Sequence, residues 1–147
     1  MTSPRGTVVG KEFEQHFAKQ AMMQGFRARK MPLSCRNKSG EFQVIRSELD
    51  FQLVDPRTRR VAFVDTKTYV DERVTFARIE PHQIDRAVWY NEGGITAGFV
   101  VWFRTLDLVV FYSGLQVRES GARSSLKPED GLELGGLLRF DLSRLFP

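Results

Sequence analysis

Two charged residues near the end of an apolar run are the first candidates for chemistry in this sequence. The run, RVAFVDTKTY at 60–69, has the composition of a β-strand and contains Asp65 and Lys67 two positions apart. Because side chains alternate along a strand, these two project from the same face. The pair is either an ion pair that faces solvent or, beside a metal ion, a ligand and a cation that orients a water molecule.

A second carboxylate, Asp50, is placed near them by the predicted topology. Apolar runs at 48–54 and 59–69 are separated by a turn in which Pro56 suits the second position, so they are predicted to form an antiparallel hairpin. The register sets Asp50 opposite residues 63–65. Two adjacent carboxylates repel each other unless a cation lies between them, and Mg²⁺ is commonly held by one or two carboxylates. Such a set is sufficient for phosphodiester hydrolysis.

Basic residues are concentrated in one segment. Residues 27–46 contain Glu41 as their only acidic residue and six basic ones: Arg27, Arg29, Lys30, Arg36, Lys38 and Arg46. The segment carries +5 in a chain whose net charge is +4. Clustered cations bind nucleic-acid phosphates by displacing counterions, although a solvated loop has the same composition. The candidate DNA-binding residues are Arg29, Lys30, Arg36, Lys38 and Arg46.

The composition excludes several other classes of protein. Hydrophobic residues make up 41% and charged residues 27% of the chain, and no run approaches the ~20 apolar residues of a membrane-spanning helix. With no apolar stretch of the signal-peptide kind at the N-terminus, we expect a cytoplasmic protein without membrane contact. Cys35 is the single cysteine, which excludes an internal disulfide bond. We expect one domain over residues 1–147.

The predicted elements alternate between helices and strands. Apolar residues every four positions predict a helix over 9–24 that Gly25 ends. A second helix is predicted from Pro81 to the glycines at 93 and 94, with Ile84, Val88 and Trp89 facing inward. Strands are predicted at 96–104 and 106–112, and short helices at 125–134 and 140–146. This order predicts an α/β sheet covered by helices.

Taken in order along the chain, these motifs resemble the PD-(D/E)xK nuclease superfamily and, within it, the RecU-type Holliday-junction resolvases. Asp50, Asp65 and Lys67 match the superfamily signature. The segment GKEFE at 10–14 is similar to the RecU-type Gly-x-x-x-Glu helix and aligns Glu14, with Glu12 as the less well-aligned alternative. Further matches are LDF at 49–51, FVDTK at 63–67, His82-Gln83 before the Gly-Gly-Ile turn, and the segment at 121–134.

The resemblance implies a restriction-endonuclease-like fold with a mixed central β-sheet of about five strands flanked by helices. It implies a homodimeric endonuclease, compact enough for a phage-encoded form, that resolves four-way DNA junctions by paired symmetric nicks. Mg²⁺ or Mn²⁺ would be the cofactor, with no small-molecule cofactor. Carried over by position, Asp50 and Asp65 would be metal ligands, Lys67 would orient water, Glu14 would be a ligand or a supporting acid, and Gln83 would support the active site. His82 fits a local role at the helix start at least as well.

Departures from the family pattern keep two alternatives open. The projection between the first strand and the Asp50 strand is short, at residues 33–49, and Lys30-Met31-Pro32 lacks one cation of the family's Lys-Lys-Pro. One alternative is a PD-(D/E)xK nuclease of repair, restriction or phage DNA processing that acts on other DNA. The other is a catalytically silent DNA-binding module. The free-energy cost of burying clustered carboxylates without a metal argues against this second alternative.

Overall fold

The computed structural model describes residues 4–31, 34–38, 41–45, 49–75, 78–123 and 125–147. Its helices are α1 (Pro4–Met23), α2 (Pro81–Glu92) and α3 (Gly114–Glu119). Its strands are β1 (Arg27–Lys30), β2 (Ser34–Lys38), β3 (Glu41–Ile45), β4 (Phe51–Asp55), β5 (Arg60–Tyr69), β6 (Val74–Thr75), β7 (Thr96–Phe103), β8 (Leu108–Ser113), β9 (Ser125–Leu126), β10 (Leu132–Gly136) and β11 (Arg139–Phe140). No helix in the described ranges is long and apolar enough to cross a membrane.

Seven of these strands form one mixed sheet in the order β1-β4-β5-β7-β8-β10-β11. Neighbours in this sheet pair antiparallel except β5 and β7, which are parallel and are joined through α2. A parallel pair requires such a crossover, because the chain must return to the same end of the sheet. The mixed sheet flanked by helices is as predicted, but the expected number of about five strands was too low.

The two additional strands come from the C-terminal segment, where short helices were expected. Residues 125–134 form β9, a 3₁₀ turn at Pro128–Asp130 and the start of β10, so the predicted helix there is wrong. Residues 140–146 contain a 3₁₀ turn at Leu142–Leu145. Leu142 and Leu145 are buried against the sheet, which shows that tertiary packing, rather than helical periodicity, places this segment.

The predicted hairpin of β4 and β5 is confirmed. The Asp55 carboxylate accepts hydrogen bonds from the Arg57 backbone N–H and the Thr58 hydroxyl, which closes the turn. Phe51 pairs with Val64 and each following residue pairs in step, so the register continued by one residue sets Asp50 opposite Asp65. The sequence therefore determines both the hairpin and the position of its two carboxylates.

Helices α1 and α2 cover opposite faces of the sheet. Phe13, Phe17 and Ala21 of α1 pack in one apolar cluster with the even-numbered residues of β5, such as Val64. Gly25, at φ 87°, follows α1 in the left-handed conformation expected of a helix-ending glycine. We call this side the α1 face.

The α2 face contains the odd-numbered residues of β5, and its apolar cluster includes Ala87, Phe99 and Val101. The predicted inward orientation of Trp89 is wrong, since this side chain is 62% exposed. The buried line of α2 runs through Gln83, Ala87 and Val88, and one further residue turns Trp89 toward solvent. There the Arg86 guanidinium covers its ring at 5.0 Å.

Candidate active site

Asp65 and Asp50 meet at the start of β4, as the hairpin register predicts. Asp65 is 1% exposed, and its Oδ1 accepts a hydrogen bond from the Asp50 backbone N–H at 3.1 Å. Its other oxygen, Oδ2, lies 3.0 Å from Lys67 Nζ. Strand alternation therefore places the acid and the lysine side by side on the α2 face, where each is held by a specific contact.

The charge on Asp50 is unfavourable in this setting. Burial raises its pKa, the adjacent Asp65 carboxylate and Glu14 raise it further, and Lys67 partly opposes them, which leaves the pKa at about 7. Two carboxylates that share a buried site do not both ionise readily without a cation. The pair thus has the electrostatic character of an incomplete cation site.

Glu14 lies nearby on α1, but its carboxylate is engaged. Its Oε1 is 2.8 Å from Lys30 Nζ at the end of β1. The hydrogen bond and the charge of Glu14 raise the pKa of Lys30. Within the described ranges, no three His, Cys, Asp or Glu side chains converge as a metal-binding group. The structure therefore joins Asp50 and Asp65, and it places Glu14 beside them in an ion pair.

Gln83 lies beside the same face, at the start of α2. The Phe63 ring stacks on Tyr90 at 4.0 Å, and α2 runs antiparallel to β5 because it returns the chain to the start of β7. The seven-residue helical step from Tyr90 back to Gln83 spans about 10 Å. The same distance along β5 from Phe63, which contacts Tyr90, reaches the level of Asp65 and Lys67. Gln83 is 8% exposed, and its Oε1 accepts no hydrogen bond from any described residue. A buried amide oxygen without a donor indicates a place for water or a ligand.

These donors fit a hard divalent cation. Asp50 and Asp65 supply carboxylate oxygens, a cation would offset their repulsion, and Mg²⁺ commonly keeps water or substrate oxygens in its remaining positions. The ammonium group of Lys67 contacts Asp65, and the length of α2 brings the unpaired Gln83 oxygen to the same level of β5. The arrangement can hold a metal ion, a water molecule and a phosphate together.

The predicted basic residues are distributed unevenly around this site. Arg29 is on the edge strand β1, and its register with Gln52 places it on the α2 face. Lys30 is paired with Glu14, a contact that no spacing in the sequence indicated. Arg36 and Lys38 lie in β2, and Arg46 falls outside the described residues.

His82 and Tyr69 complete the surroundings. His82 Nε2 lies 3.2 Å from Glu80 at the surface, a local contact at the start of α2. Tyr69, two positions beyond Lys67 on the same face, was not among the predicted site residues, although the period-two pattern could have identified it. Burial raises its pKa to about 12, Asp65 also raises it, and Arg78 lowers it, so both charges act on the phenol.

The fold is shared with a known nuclease. No protein-family model matches the chain, and no curated protein matches it by sequence. A solved structure that it resembles is that of Hjc, a Holliday junction resolvase from the archaeal hyperthermophile Archaeoglobus fulgidus. The TM-score is 0.60 at 13% identity, over 84% of this chain and 95% of that chain. The chain thus has the restriction-endonuclease-like fold that was expected.

Proposed function

We propose that this protein is a metal-dependent endonuclease that resolves four-way DNA junctions by paired symmetric nicks as a homodimer. The observation that carries the proposal is that Asp65 on β5 contacts both Asp50, which immediately precedes β4, and Lys67. The similarity of the fold to a Holliday junction resolvase supports the choice of substrate. A twofold dimer would present two equivalent sites to the two equivalent scissile phosphates of a junction.

Each residue has a distinct role in this proposal. Asp50 and Asp65 would hold Mg²⁺ or Mn²⁺, which when bound lowers the pKa of a coordinated water and polarises a phosphoryl oxygen. Lys67 would orient that water and offset the negative charge that develops on the phosphate. The free Gln83 oxygen would accept a hydrogen bond from the water. Glu14 would act as a supporting acid beside the two metal ligands, whether or not its ion pair with Lys30 persists.

A cleavage assay with two substrates tests the proposal. Labelled four-way junction and linear duplex of matching sequence are incubated with Mg²⁺, with Mn²⁺ and with chelator. We expect symmetric nicks in the junction alone, and only when metal is present. Equal cutting of the duplex would favour a nuclease of another DNA-processing pathway, which the short segment between β1 and β4 also permits. Absence of metal-dependent cutting would refute both.

Asp65→Asn separates chemistry from binding. The substitution replaces the negatively charged carboxylate, a proposed metal ligand, with a neutral amide. We therefore expect junction cleavage to fall about 100-fold or more. Binding should remain within a few-fold, because the amide keeps the shape of the side chain. Asp55→Asn is the matched control, since Asp55 is also buried but lies at the opposite end of the hairpin. If Asp65→Asn lost binding together with cleavage, Asp65 would be structural.

A further inference from the structure

An arginine beyond the acidic pair is held in a fixed orientation by an aromatic ring. The Arg78 guanidinium lies 4.8 Å from the centre of the Tyr69 ring. Tyr69 is 2% exposed, and its hydroxyl donates a hydrogen bond to the Thr75 carbonyl at 3.4 Å, so the ring itself is fixed. Stacking of a guanidinium on an immobile ring restricts its plane and reduces the entropy lost when it binds a ligand.

The position of this arginine relates it to the proposed chemistry. Tyr69 follows Lys67 on the α2 face of β5, and same-face neighbours in a strand are about 7 Å apart. Both Asp65 and Arg78 act electrostatically on the Tyr69 hydroxyl, which therefore lies between the acidic pair and the guanidinium along β5. The guanidinium thus lies immediately beyond the site, in the direction in which β5 ends.

The charge of Arg78 is available to a ligand. Its side chain is exposed, and no carboxylate in the described part of the chain lies within ion-pair distance of it. Lys30 and Arg57 differ in this respect, since each is paired with an acidic residue. An oriented and unneutralised guanidinium beside a phosphodiesterase site matches the bidentate geometry of a phosphate group.

We infer that Arg78, held by Tyr69, binds the DNA phosphate next to the scissile one and so fixes which bond faces the acidic pair. The inference rests on the proposed function and adds a residue that positions the substrate. Arg78 would act through the backbone of the DNA, so its contribution would not depend on sequence. Its loss should weaken binding and loosen the position of the cut.

Variants of Arg78 test the inference by the dependence of binding on salt. Arg78→Gln removes one phosphate contact, which should lower the slope of log K against log salt by about 1 and weaken junction binding several-fold. Cleavage products should spread over neighbouring bonds when they are mapped at nucleotide resolution. Arg78→Lys keeps the charge without the fork and should restore the slope but not the sharp cut.

The matched control is Arg57→Gln. Arg57 is also an exposed arginine over an aromatic ring, Phe26 at 5.5 Å, but it lies in the turn at the opposite end of β5. It should leave the salt slope and the cut position unchanged. Thermal melting of each variant establishes that it is folded.

The outcomes separate the two proposals. If the wild type cut junctions while Arg78→Gln kept its slope and its cut position, the inference would fall and the proposed function would stand. If the wild type bound DNA without cutting it, the proposed function and the positioning of the cut by Arg78 would both fall, and the slope of Arg78→Gln would decide only whether Arg78 contacts a phosphate. Absence of DNA binding by the wild type would overturn both.

Discussion

At the scale of single residues, repulsion between the carboxylates of Asp50 and Asp65 destabilises the fold. Asp65 is the better supported of the two carboxylates, because it receives the Asp50 backbone N–H and contacts the Lys67 ammonium. Asp50 bears the repulsion, and its pKa of about 7 is far above the usual value for an aspartate. Two carboxylates this close, with no cation between them, are thus expected to lower the stability of the fold.

Asp50→Asn should therefore stabilise the metal-free protein. The carboxyl has a higher pKa in the folded than in the unfolded state, so its ionisation disfavours folding once the pH exceeds the unfolded value. The gain in melting temperature should grow from about pH 4 to about pH 7 and level off above pH 7, reaching several degrees in chelator. Thermal melts across this range measure it. A gain independent of pH would show that ionisation of Asp50 is not its cause.

The sequence predicted the positions of some of these residues but not all of their contacts. Period-two alternation and the turn at Pro56 were enough to bring Asp50, Asp65 and Lys67 together. The pairing of Lys30 with Glu14 joins a strand to a helix, and no local rule encodes that contact. Gln83 was identified as a site residue from the resemblance alone. The structure adds the stacking of Phe63 on Tyr90, which positions α2, and therefore Gln83, along β5.

At the scale of elements, α2 is fixed by close backbone contact with α3. A Cβ at Gly114, the first residue of α3, would lie 2.5 Å from the Ala87 Cβ and 2.7 Å from the Ala87 carbonyl carbon. Such distances leave no room for any side chain. The glycine thereby determines how deeply α2, and with it Gln83, is seated on the sheet.

Gly114→Ala should push α2 outward. We expect a loss of about 1–3 kcal/mol in the free energy of unfolding, as for other overpacked sites, measured by urea denaturation. Cleavage should decline as well, because Gln83 moves with the helix. Gly121→Ala is the control, since a Cβ there meets no heavy atom within 4 Å. Equal stability of the two variants would mean that α2 has room to adjust.

The end of α1, the start of α2 and the hairpin were predictable because local signals define them, whereas α1 begins at Pro4 rather than at residue 9. Pro81 begins α2 as expected, and Gly25 follows α1 with a positive φ. The strands β10 and β11 escaped prediction because β10 pairs with β8 and β11 pairs with β10, and these pairings depend on tertiary packing rather than on a local pattern. Leu134 and Phe140 are buried by that pairing rather than by any helical period.

At the scale of the whole molecule, the α2 face carries cations on either side of the acidic pair. Arg29 lies toward the β1 edge of the sheet, and Arg78 lies beyond the end of β5. A phosphate backbone that follows these two cations would cross Asp50 and Asp65. Of these two cations, Arg29 belongs to the basic segment at 27–46 and Arg78 lies outside it.

Mixed dimers test whether two such sites act on one junction. Wild-type and Asp65→Asn chains with different tags are combined and the mixed species is purified. Each mixed dimer would hold one active site, so junctions nicked in a single strand should accumulate in place of resolved duplexes. Product strands are quantified on denaturing gels. Complete resolution by the mixed species would mean that one chain makes both cuts.

The parallel pairing of β5 with β7 also has a consequence for synthesis. β5 carries Asp65 and Lys67, yet β7, which covers one of its edges, is made only after α2. Until residue 103 has left the ribosome, one edge of β5 is unpaired. The helix α2, which carries Gln83, then lacks part of the sheet on which it packs. A nascent chain is thus unable to assemble the site early, and the site would be complete only when most of the domain exists.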